Sequence, residues 1–149
     1  MDSKAIEQLL GAKKLHVDVA KKNLSMAHLH LSEIEQNILA LQSQLALMKQ
    51  NSVKKRQEAL QKALAGNVNT ATHKVVCNVY TMIDEEILLH NKKIWSEERA
   101  KRAAIEMVSK AQQKLNRCLQ KEQKIQHVAD SLEQEKLVRD ELISENTEQ

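Results

Sequence analysis

The chain has 149 residues, no proline, two glycines, one Trp, one Tyr and no Phe, with a formal net charge of +3. So few large aromatics argue against a compact globular core. A Leu/Ile/Val/Ala and Glu/Lys/Gln/Arg alphabet points instead to long helices or a coiled coil, and its regularly placed apolar residues speak against disorder.

The opening "MDSKAIEQLLGAKK" lacks the apolar stretch of a secretory leader. No apolar run approaches the ~20 residues that span a bilayer. A cytoplasmic location without direct membrane insertion is therefore expected. The first helix is predicted over about residues 3–65. Leu10, Val17, Leu24, Leu31, Ile38 and Leu45 recur every seven residues, and are named the a row. Lys13, Ala20, Ala27, Ile34, Leu41 and Met48 follow each by three, the d row. This repeat is a coiled-coil seam. The phase is then expected to slip by one residue, through Val53 and Leu60, and to end at Ala65.

Gly66 and Asn67 open a turn predicted at residues 66–71, with Gly66 expected in the left-handed conformation that glycine adopts without a Cβ clash. Thr70 and Thr72 are the candidate N-caps of the next helix. That helix is predicted over about residues 72–146. One of its rows is Tyr80, Ile87, Ile94, Lys101, Val108, Leu115, Glu122 and Ala129. The other is Val76, Ile83, His90, Glu97, Ala104, Ala111, Cys118, Ile125 and Leu132. The β-branched "VVCNVYTMI" at 75–83 is open to a second reading as a strand. Against it, the apolar positions run on into the helical period of Ile87 and Ile94. Cys77 and Cys118 would lie ~60 Å apart on one helix at 1.5 Å per residue, so two reduced thiols are expected.

Neither helix can bury its seam alone, so residues 1–149 are read as one all-α unit, a long two-helix antiparallel coiled-coil hairpin. Helix one would run ~90 Å and helix two ~110 Å at 1.5 Å per residue. A turn centred on Asn67 and Val68 makes facing residue numbers sum to about 135. Leu24 then meets Ala111, Leu31 meets Ala104, Ala20 meets Leu115 and Ala27 meets Val108, large against small in each layer. Leu10 meets Ile125, Met48 meets Ile87, Leu41 meets Ile94, and Lys13 falls opposite Glu122. A sum of 142 also gives passable layers, but sets Glu122 against Ala20. Under the first register Glu97, Lys101 and His90 face Ile38, Ile34 and Leu45. The half nearer the turn is therefore expected to be looser, with long side chains reaching out to water.

The sequence holds no zinc-hydrolase helix, phosphate loop, nucleophile elbow or close cysteine pair, so neither an enzyme nor a cofactor or metal site is expected. From Arg99 to Lys124 eight Lys/Arg face two Glu, while seven Asp/Glu face two Lys/Arg from Asp130 to Gln149. The basic run has no interleaved aromatics for base stacking, which argues against nucleic acid as the partner. Apolar residues outside the seam are Leu15, Met26, Leu29, Leu39 and Leu47 in helix one, and Leu88, Leu89 and Trp95 in helix two. They serve either a widened core or four-helix bundle, or a docking surface for proteins, with Trp95 the strongest anchor. Arg99, Arg102, Lys110, Lys114 and Arg117 are the candidate charged contacts.

The stretches "IEQLLGAKKLHVDVAKKNLSMAHLHLSEIEQ" and "KAQQKLNRCLQKEQKIQHVADSLEQEKLVRDEL" resemble the opening and closing helices of the FliJ/YscO family of type III secretion stalk proteins. The resemblance covers most of the chain through loose motifs. The 75–83 segment is not a family hallmark, and the scarcity of aromatics is a small departure. It implies a monomeric stalk whose paired ends, here Leu10 to Leu24 with Leu115 to Leu132, insert in the hexameric secretion ATPase. Another part would contact the cytoplasmic domain of the export gate, peripheral to the inner membrane, and some members also bind secretion chaperones. Two other classes stand beside this reading: a general coiled-coil scaffold or chaperone subunit that self-assembles through its off-seam leucines, and a basic helical nucleic-acid binder.

Overall fold

The computed structural model describes residues 3–66 and 69–148. It is all-α: α1 (Ser3–Ala65) and α2 (Thr70–Glu148) pack against each other as an antiparallel pair. The 75–83 segment is helical throughout, so its β-branched residues follow the helical period that their apolar neighbours set. The contacts divide into two units, Met1–Leu29 with Glu106–Gln149 and His30–Ile105, each taking a segment of both helices.

In the first unit Val17, Ala20 and Leu115 are buried together, with Leu24, Cys118 and Leu119 packed on them. In the second, Ile34, Ile38 and Ala104 form the core with Leu31 and Ala100. Ala20 with Leu115 and Leu31 with Ala104 are the layers expected from a pair sum of 135. A sum of 142 would have brought Glu122 to Ala20, where Leu115 stands instead. The alanines let the helix axes approach, and the facing Leu or Ile fills the space they leave. Every residue of the twelve-position seam of α1 is buried or half-buried, Lys13 included, as are both rows of α2 from Val76 to Leu132. Lys13 and Glu122 make no ion pair with each other among the described residues; two long, half-buried side chains keep their charged ends in water.

Three local expectations are corrected. Val53 and Leu60 are exposed, so the seam does not slip onto them. The a row continues through Ser52, which is buried, and Ala59, which is half-buried. Ser52 tolerates burial because its hydroxyl donates to the Lys49 carbonyl at 2.7 Å. The N-cap of α2 is Asn69, not Thr70 or Thr72. Its Oδ1 accepts from the Thr72 backbone N–H and the Thr72 hydroxyl, both at 2.9 Å, while its carbonyl takes the first helical bond from His73 N–H. Gly66 has no positive φ, so α1 ends without a left-handed glycine. Asn67 and Val68, the expected centre of the turn, lie outside the described residues.

Candidate protein-interaction surface

The first unit separates a closed seam from an outward face. Leu15, Met26 and Leu29 on α1 are exposed, and Val19 joins them at spacings of four, seven and three, which is one stripe of a helix. Lys110, Lys114 and Arg117 on α2 are also exposed. None of these side chains enters the core of the unit, so the idea of a core widened by them is set aside within this chain.

The second unit places Leu39, Leu47, Trp95, Arg99 and Arg102 in the same condition. By the pair sum, Leu39 and Trp95 stand at one level on one side of the helix pair, each one residue after a buried seam position, Ile38 and Ile94. Leu47 and Leu89 share a level on the opposite side. Half-buried Asn91 and Glu98 flank Trp95 along α2. Leu39, Ala46, Val53 and Leu60 form a row of their own, seven residues apart and exposed. That row is what makes the sequence read as a slipped seam, since apolarity at a seven-residue spacing does not say which of two stripes meets the partner helix.

Polar groups fix the second unit across its seam. His90 is only 7% exposed, and its Nε2 lies 2.7 Å from the Leu41 carbonyl oxygen on α1. A carbonyl only accepts, so Nε2 carries the proton and donates. Contrary to the expected loosening, the seam is closed at this histidine. Nearer the turn, Arg56 Nη2 pairs with Asp84 Oδ1 at 2.6 Å, and the guanidinium sits 5.4 Å from the Tyr80 ring centroid. Asp84 and Tyr80, four apart on α2, thus hold one arginine from α1. Sequence periodicity marked neither contact, because both depend on where a long side chain ends. Beside the turn the seam thins to Ala59 and Ala63 of α1 against Val76 and Val79 of α2, with exposed Ala71 and Val75 at its margin. They line an open groove of about 580 Å³.

Cys77, exposed, lies 3.6 Å from His73 Nε2, and Cys118 is half-buried; both are free thiols. No group of three or more His, Cys, Asp or Glu that could hold a metal ion comes together among the described residues. No helix among them is long and apolar enough to cross a membrane. What the arrangement offers chemically is a pair of helices whose unused apolar and cationic side chains point outward, suited to burying area against another protein. Searches against protein-family models, curated proteins and solved structures return no match to this chain.

Proposed function

We propose that the chain is a helical stalk or adaptor of a type III secretion apparatus, as the resemblance of its terminal helices implies. In this reading the first unit, with Leu10 to Leu24 paired to Leu115 to Leu132, enters the hexameric secretion ATPase. The second unit meets the cytoplasmic domain of the export gate, with Trp95 and Leu39 as its apolar anchors, and secretion chaperones are further partners. The observation that supports it is the division of labour on each helix. The seam is satisfied inside the chain, while Leu15, Met26, Leu29, Leu39, Leu47 and Trp95 remain exposed. Helices whose mutual contacts are complete yet carry this much outward apolar surface have it for other proteins.

The test is addition of the purified chain to a purified hexameric secretion ATPase. Binding and a rise in ATP turnover are expected, with Trp95→Ala leaving ATPase stimulation intact and weakening capture of the export-gate domain. No binding to the ATPase ring sinks the stalk reading. The exposed row of Leu39, Ala46, Val53 and Leu60 favours a second reading, a scaffold that assembles side by side through the second unit. In that case Leu39→Ser with Leu60→Ser abolishes assembly, and no ATPase responds.

A further inference from the structure

Along α2 one exposed stripe runs through twelve positions at alternating spacings of three and four: Met107, Lys110, Lys114, Arg117, Lys121, Lys124, Val128, Ser131, Glu135, Val138, Leu142 and Glu145. All twelve are exposed and all belong to the first unit. The stripe is divided in two. Its first half carries five cations and no acid; its second half carries Glu135, Glu145 and three apolar residues, and no cation. The flanking positions of α1 on the same side of the pair are Leu9, Ala12, His16, Val19, Asn23 and Met26, again without an acid. Residues 133–147 of α2 are all exposed.

We infer that this stripe is an interface for a second copy of the chain, formed by two α2 helices crossing antiparallel about a twofold axis near residues 128–131. A twofold interface uses the same patch on both partners, so a patch must complement its own reverse. This one does. With facing numbers summing to 259, Lys114 meets Glu145, Lys124 meets Glu135, Arg117 meets Leu142, Lys121 meets Val138 and Val128 meets Ser131, each twice. No like charges face each other, and the arginine and lysine stems cover the apolar partners. A shift of one heptad either way keeps only one kind of opposite-charge pair, so charge selects the register. The overlap from residue 114 to 145 runs ~48 Å at 1.5 Å per residue. Val19 of α1 stands level with residue 116 by the pair sum of 135, beside the place where Leu142 of the second copy arrives. It gives that leucine an apolar neighbour which the isolated chain leaves exposed. The inference goes beyond the stalk reading, which takes the protein as a monomer when it engages the ATPase. A dimer of this kind is the form it holds before that.

Light scattering tests it. At low salt the wild-type mass is twice the 17.0 kDa of the chain, and it falls toward the single-chain value as salt screens the pairs. Lys114→Glu with Lys124→Glu, and separately Glu135→Lys with Glu145→Lys, each dissociate the dimer by at least about tenfold in Kd, because four opposite-charge contacts become repulsions. An equimolar mixture of the two variants restores a one-to-one dimer, since each then offers the other the opposite sign. All four positions are exposed, so far-UV dichroism matches wild type. As a measurement free of charge reversal, Val128→Cys and Ser131→Cys chains, in a background with Cys77→Ser and Cys118→Ser, form a disulfide-linked pair when mixed and oxidised. A wild type that stays monomeric at low salt, variants that remain dimeric, or a mixture that fails to re-associate would each overturn the proposal. So would a monomer whose Lys114→Glu/Lys124→Glu form loses binding to a short nucleic-acid duplex or an anionic vesicle, which assigns the basic half to another anion. ATPase stimulation is read separately, so failure of the dimer leaves the stalk reading standing.

Discussion

The two units use the same heptad seam and hold it shut by different means. The first is joined by apolar layers, Val17 and Ala20 against Leu115, and apart from half-buried Lys13 and Glu122 carries its charges on the surface in separated blocks. The second has an apolar layer of its own at Ile34, Ile38 and Ala104, then passes into polar contacts, His90 to the Leu41 carbonyl and Arg56 to Asp84 and Tyr80. Apolar layers give more stability per contact, whereas a polar contact that forms at only one alignment fixes register. The comparison teaches that stability and alignment reside in different stretches of one pair of helices.

The largest effect that can break this contrast is a cavity in an apolar layer. Leu115→Ala is expected to destabilise the chain by about 2–5 kcal/mol, the range for removing a leucine from a packed site, and toward the lower end because a two-helix seam can partly collapse. Chemical denaturation measures the loss. Amide exchange should rise first at residues 10–27 and 106–125. If protection is lost equally in the second unit, the two units are not separable in stability.

His90→Ala comes next, at about 1–3 kcal/mol, for a lost buried hydrogen bond and the space its ring leaves in an open two-helix seam. The Leu41 carbonyl remains within its own helix, so no acceptor is stranded there. Alignment is the sharper readout. Cysteines at positions 41 and 94, facing by the pair sum, should crosslink efficiently in the parent and less selectively once His90 is gone. Undiminished selectivity would remove the alignment role from His90.

Seam and helix count are legible in the residues because they follow from periodicity, while the place of the turn favours a pair sum of 135 without excluding 142. Ala20 against Leu115 is a matter of spacing alone. The sequence misleads where two features compete for one signal. Val53 and Leu60 repeat with the same period as the buried Ser52 and Ala59, one step around the helix. Only its burial, with the hydroxyl returned to the Lys49 carbonyl, reveals Ser52 as the inward residue. Asn69, Thr70 and Thr72 are all capping types, so only geometry settles which side chain meets the free N–H of Thr72. The outward surfaces could be listed from sequence, but the pairing of Leu39 with Trp95 at one level needed the register first.

Arg56→Ala tests the second polar device and is expected to cost about 0–1 kcal/mol. Its side chain is 38% exposed and that of Asp84 68%, so water already screens the pair heavily. The Tyr80 contact adds little in an exposed setting. A double-mutant cycle with Asp84→Ala isolates the pair. A coupling well above this range would mean that the Arg56 head group, whose Nε is buried without a partner, is more confined than its exposure suggests.

The remaining expected changes are small gains, and they differ between the units for a reason in the backbone. Gly11 lies within α1 in the first unit, and an added Cβ there meets nothing within 4 Å. Alanine at this position removes unfolded-state freedom without a clash, so Gly11→Ala should stabilise by about 0.5–1 kcal/mol. Gly66 lies just past the end of α1, where an added Cβ would come no closer than 4.0 Å to the Lys62 carbonyl oxygen. It holds no positive φ, so alanine is not strained there either. Outside the helix, however, alanine's helix propensity adds nothing, and only the entropy term remains. Gly66→Ala should therefore gain less than Gly11→Ala in the same melt. A marked loss at Gly66 instead would mean that the chain leaving α1 samples the left-handed region in solution, and would return to this glycine the role that its sequence first suggested.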